Sequence, residues 1–249
     1  MSRRFRTGLF LAAALPAAAL WCWGAWGLPG FGRYPGPYGD VIDHLVTRQR
    51  HATEAVAAVT FDYRGFDTLG EEFILFTSAL GAAVLLRALQ SERDGRSPRA
   101  ASGRRAPEAS EATRLAGPLL AAPLVVLGMY VVTHGHLTPG GGFQGGVILA
   151  AAAFVVILSG RRVELSPLLP RGPAELGDAV GAAGFAGLGL AMMALGGAYL
   201  QDLLPKGVTG QLDSAGFIPI LNALVALEVA SALVLIVSEL LTQLQEPGR

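Results

Sequence analysis

Apolar and polar positions alternate in blocks along this chain, leaving six long apolar runs at about 8–27, 71–89, 115–133, 143–158, 176–200 and 217–241. A helix needs about 20 mostly apolar residues to cross the hydrocarbon layer of a membrane. The pattern therefore predicts an all-α membrane protein with about six transmembrane helices. The run at 143–158 is short for a span unless its helix begins inside the glycine-rich turn before it. Between the first two runs, Val41, Ile42, Leu45, Val46, Val56 and Val59 recur at helical spacing, which predicts an amphipathic segment lying on a surface. Asp67 can cap a helix starting near Thr68, with Glu71 and Glu72 suited to its first turn. Residues 91–114 hold Arg, Ser, Pro, Ala, Gly and Glu with almost nothing apolar in a row. Such a composition cannot offset the entropy of ordering. It reads as a flexible linker between a two-helix module, 1–90, and a four-helix module, 115–249.

Composition supports the membrane reading. Hydrophobic residues make up 52% of the chain and charged ones 15%, with no net charge, so the apolar surface must be buried against lipid and other helices. Nothing in this balance suits nucleic acid. The single cysteine, Cys22, lies in the first run and rules out an internal disulfide. That run follows a basic start and could be a signal peptide. A retained helix is favoured because Trp21, Trp23 and Trp26 gather at its far end like an interfacial belt. Basic residues then set the orientation. With the N-terminus inside, Arg3, Arg4, Arg6, Arg87, Arg93, Arg96, Arg99, Arg104, Arg105, Arg114, Arg161, Arg162, Arg171 and Arg249 all fall on the cytoplasmic side. The expectation is a multi-pass protein of the cell (inner) membrane with both termini cytoplasmic.

Glu228 is the clearest chemical anomaly, near the centre of the last apolar run. A carboxylate at bilayer depth costs about 3 kcal/mol on insertion scales, so it must be protonated, paired or hydrated. Either it carries protons or it acts as hydrogen-bonded glue between helices. Ser231, Asn222 and Pro219 could extend a short polar path around it. His134 and His136 could offer two imidazoles to one ion or proton, although packing or hydrogen bonding is the plainer reading. No cysteine, further histidine or clustered carboxylate stands beside them to complete a metal site. Asp178 and Glu175 open the fifth run, where a helix N-terminus accepts acids for structural reasons alone. Gly177, Gly181, Gly184, Gly187 and Gly189 give that run a face for close helix approach. Lys206 is the only lysine and lies in a loop, which argues against an autonomous pump built on paired buried Lys and Glu. No nucleophile, acid/base set or cofactor motif indicates an enzyme.

The stretch from His134 to Gly146 joins the third and fourth runs. A phosphate loop would need Lys and Ser or Thr after its last glycine, and here Val147, Ile148 and Leu149 follow. A tight helical hairpin is the other reading. Gly135 and His136, followed by Pro139, Gly140, Gly141, Gly142, Phe143, Gln144, Gly145 and Gly146, resemble the B subunit of Mrp-type multisubunit cation/proton antiporters, a module that also recurs in membrane-bound hydrogenases. The stretch from Phe61 to Glu71, with Arg64 and Asp67, resembles the C-terminal part of the A subunit of those antiporters and its small hydrogenase equivalent. Together these likenesses imply a fusion of two subunit pieces. They imply an accessory subunit that assembles with larger antiporter-like subunits in the lipid bilayer and supports exchange of sodium or potassium ions for protons. In that setting Glu228, with Asn222, Glu71 and Glu72, would contribute to an ion or proton route at a subunit interface. A purely structural scaffold and a membrane-arm subunit of a redox-linked complex are the alternatives.

Overall fold

The computed structural model describes residues 3–28, 36–94, 110–159 and 171–243. Among them every regular element is helical. The elements are α1 (Arg3–Trp26), α2 (Pro37–Arg50), α3 (Ala55–Ala58) continued by a π-helical turn (Val59–Tyr63), α4 (Gly65–Asp94), α5 (Glu111–Thr133), α6 (Gly142–Leu158), α7 (Arg171–Ala194) and α8 (Ile218–Gln243). Four helices are long and apolar enough to cross a membrane, at 65–88, 111–133, 172–194 and 218–241. Among the described residues two shorter apolar helices, Phe10–Trp26 and Gly142–Leu158, stand beside these four at the positions of the other two expected runs. Helix α6 does begin inside the glycine motif, at Gly142. Residues 95–109 of the expected linker lie outside the described residues, and its two ends prove helical, as parts of α4 and α5.

The chain divides into two compact units, 1–41 and 42–249. In the first, α1 contains Pro16 and leaves Trp21, Trp23 and Trp26 exposed. In the second, α8 is the central helix and packs against α4, α5, α6 and α7. Its buried stripe of Leu221, Val225, Val229, Ala232 and Leu235 follows helical spacing. Small residues on the surrounding helices let them close on it. A Cβ at Gly146 of α6 would stand 2.8 Å from the Val229 Cβ, and one at Gly181 of α7 would stand 2.5 Å from the Glu228 Cβ. The glycine face of α7 thus meets a partner within this chain.

At one end of this unit, α2 from Ile42 onward, α3 and the π-turn cap the bundle. Ile42, Val46, Ala52, Ala57, Ala58 and Phe61 join Phe185, Phe217, Ile218 and Leu221 in one core. The segment expected to lie on a surface therefore turns its apolar side to the protein itself. Two ion pairs hold the same end. Arg50 Nε meets Asp62 Oδ1 at 2.7 Å, and Lys206 Nζ meets Asp202 Oδ2 at 3.1 Å. Burial pushes the Asp62 carboxyl up from its ordinary range despite the opposing pull of Arg50.

Candidate functional site

The glycine turn is locked by one side chain of the last helix. Asn222, fully buried, accepts a hydrogen bond from the Gly142 backbone N–H at 2.7 Å and donates to the Ile218 carbonyl at 3.2 Å. Gly140 and Gly141 adopt φ of 148° and 127°, a region only glycine enters freely. A Cβ at Gly135 would stand 2.9 Å, and one at Gly141 2.8 Å, from the Asn222 side-chain oxygen. The motif is thus a hairpin built around an amide, and Asn222 is spent on holding it. Phe143 packs against the core, while Pro139 and Gln144 are exposed.

The two histidines do not converge on a shared ligand. His134 stacks on Tyr130, with ring centroids 4.1 Å apart, and its Nδ1 lies 3.1 Å from the Tyr130 carbonyl. His136 is fully buried, with Nε2 3.3 Å from the Gln211 carbonyl. Its own carbonyl accepts from the N–H groups of Thr53 and Glu54 at 3.1 and 3.2 Å. Burial lowers its pKa below the ordinary 6.5. It is a neutral peg joining three loops.

The chemistry gathers instead between α4, α7 and α8. Glu72 of α4 and Glu228 of α8 are both 0% exposed. Their carboxyls face one another within side-chain hydrogen-bonding range. Among the described residues no donor reaches any of their four oxygens. Two bare carboxylates so placed would repel each other, and both are cut off from water. These acids are covered by the chain's own helices. The seam that hides them is internal, where the sequence suggested one between subunits.

Asp178 of α7, read from sequence as an ordinary helix-start acid, is 1% exposed and lies within electrostatic range of both glutamates. Its Oδ1 has no hydrogen-bond partner among the described residues. One turn back, Glu175 pairs with Arg87 of α4, whose guanidinium also binds the buried Glu239 of α8 at 2.8 Å. In the sequence Arg87 reads only as one of the basic residues of the cytoplasmic side, and Glu239 is passed over. Spacing held the clue. Glu239 follows Glu228 by three helical turns, and Arg87 continues the buried stripe of Glu72, Ala79 and Ala83. Among the described residues no three His, Cys, Asp or Glu side chains converge as a metal site.

At the capped end, Glu71 is exposed and borders a cleft of about 170 Å³ lined also by Val59, Thr60, Arg64, Asp67 and Thr68. Asp67 sits inside the first turn of α4 and accepts from Arg64 Nε at 2.7 Å; it does not cap the helix. Thr68, buried one turn before Glu72, donates to the Thr60 carbonyl at 2.5 Å. Glu71 and Glu72 thus straddle the helix, one facing the cleft and the other the bundle interior.

A family model described as a domain related to the MnhB subunit of Na+/H+ antiporter matches residues 112–235. An uncharacterized protein of Methanocaldococcus jannaschii is 36% identical over 198 residues, covering 72% of this chain and 73% of that protein. The chain belongs to the MnhB-related family. This agrees with the likeness of its glycine motif to Mrp-type B subunits. The A/B subunit of a probable K(+)/H(+) antiporter of Rhizobium meliloti is 28% identical over 142 residues, 49% of this chain and 14% of that much longer protein. The fold matches a chain of the membrane-bound sulfane sulfur reductase, an archaeal respiratory membrane complex, with TM-score 0.70 and 29% identity over 95% of this chain and 98% of that one. It also matches the Mrp complex from Dietzia sp. DQ12-45-1b, with TM-score 0.73 and 24% identity over 96% of this chain and 26% of that one. This MnhB-related chain is therefore a multi-pass membrane protein of the Mrp-subunit kind.

Proposed function

We propose that this chain is an accessory subunit of a multisubunit antiporter that exchanges sodium or potassium ions for protons, and that Glu72 and Glu228 hold the proton it handles. The observation that carries this reading is the facing of two fully buried carboxyls with no other donor at their oxygens among the described residues. Such a pair keeps one proton in a low-dielectric site and can release it when a neighbouring group changes charge. Glu71, in the cleft at the capped end, supplies an acid where the chain meets water. Both termini would then face the cytoplasm and the glycine turn the outside, a reading supported by the gathering of arginines near those helix ends. The exposed apolar faces of α4 and α5 remain for lipid and for larger sister subunits.

The decisive variant is Glu228→Gln, with cation/proton exchange measured in vesicles holding the assembled complex. The expected result is loss of exchange with normal subunit composition. Unchanged exchange would reduce Glu228 to glue and leave the chain a scaffold. A second reading places the chain in the membrane arm of a redox-linked complex. The matching chain of the sulfane sulfur reductase favours it, since that likeness spans both chains almost end to end. Iron–sulfur subunits co-purifying with this chain would decide for it.

A further inference from the structure

We propose that Asp178 is the third carboxyl of a proton relay that leads from the Glu72–Glu228 pair along α7 to the charge cluster of Glu175, Arg87 and Glu239. This rests on the reading of Glu72 and Glu228 given above. The three acids come from three different helices, α4, α7 and α8, and each is at most 1% exposed. The Asp178 oxygen without a hydrogen-bond partner is buried beside a pair that already lacks donors. Among the described residues the ionisable groups that act on it are acids, Glu72 from α4 and Glu228 from α8, while Glu175 one turn away on its own helix is neutralised by Arg87.

Depth orders the set. At 1.5 Å per residue, Glu72 lies roughly 10 Å along α4 from the capped end, and Glu228 roughly 15 Å along α8. Asp178 lies roughly 24 Å back from the end of α7, and Arg87 and Glu239 lie deeper still. Acids thus descend from the cleft towards the far end of the bundle. Glycine makes the middle step possible. With no side chain at Gly181, α7 closes on α8 at Glu228, and Asp178 follows one turn deeper.

In each hand-over one O–H bond breaks and one forms at the next oxygen, so donor becomes carboxylate and acceptor becomes acid. Asp178 meets the pair without a direct hydrogen bond, so in the proposed relay a bridging water takes a proton on its oxygen from one carboxyl and gives one of its own to the next, ending unchanged.

The test compares Asp178→Asn, Asp178→Glu and Glu228→Gln in the purified complex, reconstituted in vesicles and checked for subunit composition. Asp178→Asn should lower exchange on the order of a hundredfold. Asp178→Glu, which keeps an acid, should restore most of it with a displaced pH profile. If Glu228→Gln abolishes exchange and Asp178→Asn does not, the relay is refuted while the pair stands. If Glu228→Gln is itself harmless, the pair and the relay fall together. Should Asp178→Asn block assembly, the unmodified complex decides. A hydrophobic carbodiimide, which attacks protonated carboxyls in apolar surroundings, should leave an adduct on Asp178 in step with inhibition. Inhibition with no adduct at that residue would overturn the proposal.

Discussion

The close approach of α7 to α8 makes a sharp demand on one glycine. A Cβ at position 181 would lie 2.5 Å from the Glu228 Cβ, 2.8 Å from the Leu224 carbonyl oxygen and 2.9 Å from the Glu228 Cα. Carbon atoms settle at about 3.5–4 Å, so Gly181→Ala must part the helices by roughly 1 Å. The obstructing atoms are backbone and Cβ, which cannot swing aside as a side-chain tip would. Overpacking of this kind costs about 1–3 kcal/mol. Alanine also gains up to about 1 kcal/mol over glycine in helix propensity, which partly masks the clash. Gly187, six residues on in the same helix, supplies the control because nothing lies within 4 Å of its added Cβ. Gly187→Ala carries the same propensity gain without the clash. The difference between the two variants isolates the contact, and Gly181→Ala should be the less stable by about 1–3 kcal/mol. Equilibrium unfolding in mixed micelles, with a denaturing detergent as titrant, measures it. A Gly181→Ala protein as stable as Gly187→Ala would show that α7 and α8 are not in the contact described.

Two further outcomes follow from charge. Arg87→Gln removes the guanidinium from the fully buried Glu239 and from Glu175. It should cost about 1–3 kcal/mol in thermal unfolding, less than a wholly buried pair because Arg87 is a third exposed, and adding Glu239→Gln should recover most of the loss. His136 has a folded pKa below its ordinary 6.5. Its neutral form contributes stability that is present above about pH 6.5 and lost as pH falls through the folded value. Hydrogen-exchange protection at 51–54 and 134–141, corrected for the intrinsic pH dependence of exchange, should fall on mild acidification, and His136→Gln should flatten that dependence.

The helices were legible in the sequence because lipid imposes a length and a composition on each span. The glycine hairpin was legible because its residue types forbid most alternatives. The partners of individual side chains were harder to see. Asp178 looked like a helix-start acid because its neighbours in sequence are a helix terminus, whereas its neighbours in space come from α4 and α8. Glu228 was conspicuous for lying deep in an apolar run, but only the packing of α4 against α8 shows that Glu72 faces it. Asn222 went the other way. It looked like part of a polar path and proves to be occupied by the Gly142 amide.

Helices α4 and α8 lie on opposite sides of the polar stretch at 95–109, yet each supplies one half of the facing acid pair. Carrying both halves on one polypeptide fixes their stoichiometry at synthesis and turns their docking into a first-order event, independent of the cell's supply of any other component. A nick introduced in that stretch should accordingly leave the two fragments bound to each other, whereas separately expressed fragments would have to find one another by diffusion in the membrane.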